Sequence, residues 1–100
     1  MDFQNIIGYV NSGYQILKAE AYSQGQGGVV DGVCFGVNSV GMFVTWDFRI
    51  RCHTGSPVVD FNTGHYTENQ SKALADYHER LKSKYEDYKY HPFTVPGNVK

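Results

Sequence analysis

Met42-Phe43-Val44-Thr45-Trp46-Asp47-Phe48-Arg49-Ile50-Arg51-Cys52-His53 decides the fold class, because its side chains alternate over about six pairs. Met42, Val44, Trp46, Phe48, Ile50 and Cys52 fall on one side of an extended chain. Phe43, Thr45, Asp47, Arg49, Arg51 and His53 fall on the other. A period of two is the signature of an antiparallel strand with one face on a core and the other in water.

Working outward, Val29–Val37 is a second strand, rich in β-branched residues, with Val29, Val33, Phe35 and Val37 on one side. Gly32, Cys34 and Gly36 form a small side against which another element packs closely. Asn38-Ser39-Val40-Gly41 joins the two strands as a hairpin turn. Tyr14–Tyr22 reads as a further strand, with Leu17, Ala19 and Ala21 on one face, and Val58–Tyr66 as a fourth. Phe3, Ile6, Ile7 and Val10 have the spacing of a short N-terminal helix.

Thr67-Glu68-Asn69-Gln70 has the form of a capping box, with Thr67 as cap and Tyr66 as its hydrophobic staple. Ala73, Leu74, Tyr77, Leu81, Tyr85 and Tyr88 then recur at helical spacing. Lys72, Asp76, Glu79, Arg80 and Lys84 occupy the remaining, solvated face. His91-Pro92 ends the helix, and residues 91–100 form an extended tail. The expected architecture is α+β. About four antiparallel strands carry a long C-terminal helix on one face, with a short N-terminal helix, all in one domain of 100 residues.

A formal net charge of −1 lacks the basic excess of a non-specific nucleic-acid binder. No 18-residue apolar run exists to span a bilayer, and the first residues lack the pattern of a secretory leader. Cys34 and Cys52 lie in apolar strand runs, as reduced buried thiols of a cytoplasmic protein do. Eight Tyr and six Phe are more aromatic surface than one small core hides, which points to a protein interface.

The candidate chemistry is sparse. Cys34, Cys52, His53, His65 and His78 are of zinc-ligating types but lack zinc-motif spacing. Cysteine catalysis would need a cationic neighbour and an accessible thiol, and the alternation turns Cys52 inward. The reading is therefore a non-enzymatic protein that requires no cofactor or metal. Its rivals are a small enzyme or metalloprotein using Cys52, His53 and His65, and a nucleic-acid-binding module using Arg49 and Arg51. The suggestive surface is the polar strand face, Asp47, Arg49, Arg51 and His53, with Tyr90 and Phe93 beside it, since Arg is enriched at interfaces. The plainer alternative is a wet sheet face, with Asp47 and Arg49 paired to neighbouring strands. Gly64-His65-Tyr66 reads as the joint between the last strand and the helix.

Tyr14-Gln15-Ile16-Leu17, Phe43-Val44-Thr45-Trp46, Gly64-His65-Tyr66, and Ala75-Asp76-Tyr77 with Arg80 form an ordered set. The set resembles an uncharacterised family of short proteins carried by conjugative elements and phages of Gram-positive gut bacteria. The resemblance spans about Tyr14 to Leu81. It departs from the family pattern just before Gly64, where Asn62-Thr63 replaces an aromatic pair. It implies a mobile-element accessory protein that binds a host protein, as anti-CRISPR proteins bind Cas effectors and inhibit those nucleases. It carries over no catalytic residue. A homodimer through a strand edge or the Tyr-rich helix end is compatible with this reading.

Overall fold

The alternating stretch forms a strand whose neighbours on both sides run antiparallel to it. The computed structural model describes residues 6–23, 28–51 and 57–90, the side chains of 87–90 excepted. The elements are β1 (Val10–Asn11), β2 (Tyr14–Ser23), β3 (Val29–Val37), β4 (Phe43–Arg51), β5 (Val58–Thr67) and α1 (Gln70–Tyr90). The five strands pair in chain order as an antiparallel sheet, and α1 lies across one face, so the fold is α+β. The fifth strand beyond the expected four is β1, two residues paired with Tyr14 and Gln15. Val10 belongs to this strand and not to an N-terminal helix, and residues 1–5 lie outside the described residues.

The β3–β4 hairpin is closed by Asn38. Its side-chain Oδ1 accepts from the backbone N–H of Val40 and Met42, at 3.1 and 2.8 Å. Gly41 takes the positive φ that the turn requires. From there β3 and β4 pair without interruption from Val37↔Phe43 to Val29↔Arg51.

β4 is buried on both sides over half of its length. On the face away from the helix, Val44, Trp46, Phe48 and Ile50 join Ile6, Ile16 and Cys34 in the larger apolar cluster. The sheet curls around this cluster, bringing Tyr14 of β2 within 5.8 Å of Tyr66 of β5. On the helix side, Val33 and Phe35 meet Ala73, Tyr77 and Leu81. Among the described residues, the expectation that the polar side of β4 faces water therefore holds for Arg49 and Arg51 alone. Thr45 is buried, and Asp47 lies half-buried next to α1.

The small side of β3 is filled by the sheet itself and not by the helix. A Cβ on Gly32 would collide with the Glu20 carbonyl and the Phe48 ring, and one on Gly36 would stand 2.7 Å from the Gln15 carbonyl. Two register shifts in β2, at Leu17 and Tyr22, also break the simple alternation. Ile16 is buried and Leu17 beside it is exposed. A bulge inserts one residue and moves every side chain beyond it to the other face.

A third bulge shapes the candidate site. Thr45 pairs with His65 and Asp47 with Asn62, so Thr63 and Gly64 together oppose Trp46. Thr63 sits at φ +57°, a left-handed conformation that a β-branched residue rarely adopts. Gly64 leaves room for the Trp46 indole N–H, which donates to the Tyr66 hydroxyl at 3.3 Å.

The helix starts later than the capping box predicts. Asn69 is the cap, its Oδ1 accepting from the Lys72 N–H at 3.0 Å, while the Thr67 hydroxyl accepts from the Asn69 N–H. Tyr66 turns to the opposite face of the sheet and staples nothing. Burying Tyr77 and Leu81 stabilises the docked helix by roughly 1.5–3 kcal/mol each. Docking is thus apolar in its energetics. At the other end, the Tyr85 hydroxyl donates to Glu20 at 3.0 Å and reaches the Ala21 carbonyl at 3.2 Å.

Replacing Thr63 with Gly removes a strained side chain without touching its carbonyl. Thr63→Gly is expected to stabilise the fold by about 1 kcal/mol, the relieved strain exceeding the added chain entropy of glycine. A urea denaturation midpoint at or below wild type would contradict the reading of Thr63 as strained.

Candidate functional site

Five polar side chains from three elements converge where α1 crosses the β4–β5 bulge. Residues three and four apart on a helix share a face, so Asp76 and Arg80 point together at the sheet. Thr45 and Asp47 project from β4 toward them, and His65 from β5.

Asp76 Oδ2 is the hub. It accepts from the Thr45 hydroxyl at 2.5 Å, contacts His65 Nδ1 at 2.9 Å and accepts from Arg80 Nε at 3.2 Å. Arg80 also donates from Nη1 to Asp47 Oδ1 at 3.1 Å and from Nη2 to the Thr63 carbonyl. The Arg80 side chain is nine-tenths buried, and the Lys84 ammonium stands 4.0 Å from the other Asp47 oxygen. The strained bulge thus has a function in the fold: it turns the Thr63 carbonyl toward the third arm of Arg80. No buried side-chain nitrogen or oxygen among the described residues lacks a partner.

Desolvation pushes the Asp76 carboxyl up, but hydrogen bonds from Thr45, His65 and Arg80 outweigh it and hold it below its ordinary 3.8. Cys34 behaves in the opposite way. Burial pushes its thiol up to about 12, so it stays protonated and unreactive at neutral pH.

Three shallow hollows line the seam. One of about 220 Å³ lies between His65 and Lys72, and one of about 300 Å³ lies between His65 and Lys84. The third, about 180 Å³, extends over Arg49 and Arg51. The first two adjoin the helix and share His65; the third is lined by strand residues and shares Asp47 with the second, so the three make a grooved surface that runs from the helix onto the sheet.

Of the six residues singled out from sequence, Asp47, Arg49 and Arg51 lie in this groove. Asp47 is held by Arg80. Arg49 makes a two-pronged pair with Asp31 on β3, at 2.7 and 3.1 Å. Arg51 pairs with Asp60 on β5 at 2.6 Å. His53, Phe93 and the side chain of Tyr90 lie outside the described residues, as does Cys52 of the rival reading. His65, the third residue of that rival, is 57% exposed and joins Asp76 instead of a metal-ligand set. Among the described residues no group of three His, Cys, Asp or Glu side chains converges as a metal site.

Sequence reasoning missed Asp76 and Arg80 by assigning both to the solvated helix face. The available signal was their i, i+4 spacing next to the core positions Tyr77 and Leu81. Polar side chains there lie at the boundary of the buried stripe.

Asp76→Asn removes the hub charge and leaves Arg80 short of one counter-ion. A loss of about 2–4 kcal/mol is expected, the range for breaking a largely buried, hydrogen-bonded pair. The pH dependence has a definite sign. A depressed carboxyl stabilises the fold fully above its unfolded value of 3.8, and the contribution vanishes as pH falls through the lower folded value. Denaturation midpoints measured from neutral pH into acid should fall less steeply in Asp76→Asn than in wild type. Parallel curves would contradict the hub. In comparisons with known proteins, no family model, no curated protein and no solved structure matches this chain.

Proposed function

We propose that this chain is a non-enzymatic binding protein of a phage or mobile element, acting by direct contact on a host protein. A defence nuclease of the CRISPR–Cas type is the partner the family resemblance favours. The observation that carries the binding reading is the row of three open hollows that begins beside α1 and extends onto the sheet. Its floor is fixed by Arg80 and Asp76, and its far end presents Arg49 and Arg51.

The dimensions favour a macromolecular partner over a small substrate. Pockets that enclose small ligands measure roughly 300–1,000 Å³, and the open hollows here are about 180, 220 and 300 Å³. The surface is also charge-matched. Arg49 with Asp31 and Arg51 with Asp60 present alternating signs that fix the register of a complementary protein face better than they attract a polyanion. The edge strand β5 carries a bulge, and so does β2, which β1 covers only at Tyr14 and Gln15; bulges discourage edge-to-edge pairing and make a strand-edge homodimer the weaker form of association.

One observation favours the rival reading of a small enzyme. The His65–Asp76 contact is the arrangement that orients an imidazole for proton transfer. Loss of a hydrolytic activity on His65→Ala would support that rival, and an inactive wild type would sink it.

Exposed ion pairs contribute about 0–1 kcal/mol each. The double variant Arg49→Ala/Arg51→Ala should therefore melt within a few degrees of wild type. Wild-type protein immobilised in host lysate should retain a defined host protein that the double variant loses. Equal retention by both would remove this surface from the account.

A further inference from the structure

The end of the groove between β5 and the start of α1 differs chemically from the rest. Asp31, Asp47 and Asp60 are each matched by an Arg in the other two hollows. In the hollow of about 220 Å³, lined by Thr45, His65, Tyr66, Thr67, Lys72, Ala73 and Asp76, one oxygen of the single carboxylate, Asp76 Oδ2, is already engaged. Three donors converge on Asp76 Oδ2. The groups left over are cationic or can become so. Neither the Lys72 ammonium nor His65 Nε2 has a hydrogen-bond or ion-pair partner among the described residues. Because Nδ1 faces Asp76, Nε2 lies on the opposite side of the ring, and the ring is held by a carboxylate that Arg80 and Thr45 fix in place.

We propose that this hollow binds a single carboxylate, an Asp or Glu side chain of the partner protein, bridged between Lys72 and the His65 imidazolium. The inference rests on the binding reading above and adds the chemistry of one contact. A nucleic-acid backbone fits worse. The chain carries a net charge of −1, and a polyanion lying in the groove would run past Asp47, Asp31 and Asp60.

The contact is pH-dependent by construction. With Nδ1–H directed at Asp76, Nε2 can donate to a carboxylate only when the ring is cationic. The groups facing His65 are Asp76 and Lys72 of α1 and the Thr45 hydroxyl of β4. Across the ring stand Asp47 of β4 with Glu79, Arg80 and Lys84 of α1, Asp47 being held by Arg80 and Lys84. Protonation of the ring adds a donor beside the Lys72 ammonium.

A hexaglutamate peptide serves as the probe, titrated into the ¹⁵N-labelled full chain at about pH 5.5 and about pH 8, either side of the ordinary imidazole range. Shift changes should centre on His65, Thr67 and Lys72. Affinity should be about fivefold higher at the lower pH, as expected for one exposed charge pair. Lys72→Gln should weaken binding by a similar factor, and His65→Gln should abolish the pH dependence, both with an otherwise unchanged amide spectrum. Shifts centred elsewhere, equal binding by Lys72→Gln, or pH-independent binding would overturn the proposal. So would tighter binding of a single-stranded oligonucleotide than of the peptide. If the peptide test fails while Arg49 and Arg51 still control capture of the host protein, the carboxylate site falls and the binding reading stands.

Discussion

The guanidinium of Arg80 is the constraint on which the rest of the molecule depends. Its three nitrogens reach an aspartate on its own helix, an aspartate on β4 and a main-chain carbonyl on β5. Only a planar fork satisfies three such acceptors at once, so Lys cannot replace it. Apolar burial of Tyr77 and Leu81 supplies most of the energy that holds the helix down. It leaves sliding and rotation weakly specified, because apolar contact is non-directional. The fork supplies the direction. It fixes which helical turn sits over which bulge, and hence where the groove lies.

That constraint connects features that look unrelated in the chain. Thr63 tolerates a left-handed backbone because its carbonyl has a charged donor to meet. Gly64, immediately after it, lets the Trp46 indole approach Tyr66 on the far face. His65, next in line, is turned back toward Asp76. Thr45 can be buried in a sheet because Asp76 accepts its hydroxyl proton. Gly64-His65-Tyr66 therefore lies within β5, where the bulge distributes three consecutive residues to three different tasks.

The elements were legible in the sequence to the extent that local rules govern them. Period-two alternation marks β4, β-branched residues mark β3 with bounds that match, Asn38 to Gly41 marks the hairpin, and helical spacing marks α1. What lay beyond reach was non-local. Asp76 and Arg80 read as solvated because their partners, Thr45, Asp47 and Thr63, are strands away in the chain. The polar side of β4 read as wet for the same reason. The bulges at Leu17, Tyr22 and Thr63 were invisible because each is set by the pairing of two strands. Asp47, Arg49 and Arg51 were singled out because an arginine row on one strand face is a compositional signal. The hub beside them was not, since burial turns ordinary surface residues into a site.

The central claim, that Arg80 couples the helix to the bulged strand pair, is tested most directly by a double-mutant cycle on unfolding free energy. The cycle combines Asp47→Asn and Arg80→Met, singly and together, at neutral pH. A half-buried, hydrogen-bonded pair predicts a coupling energy above about 1 kcal/mol, whereas independent sites add to within roughly 0.5 kcal/mol. Strong coupling would establish the clamp between α1 and β4. Additivity would show that the helix is held by apolar contact alone, and would contradict the account.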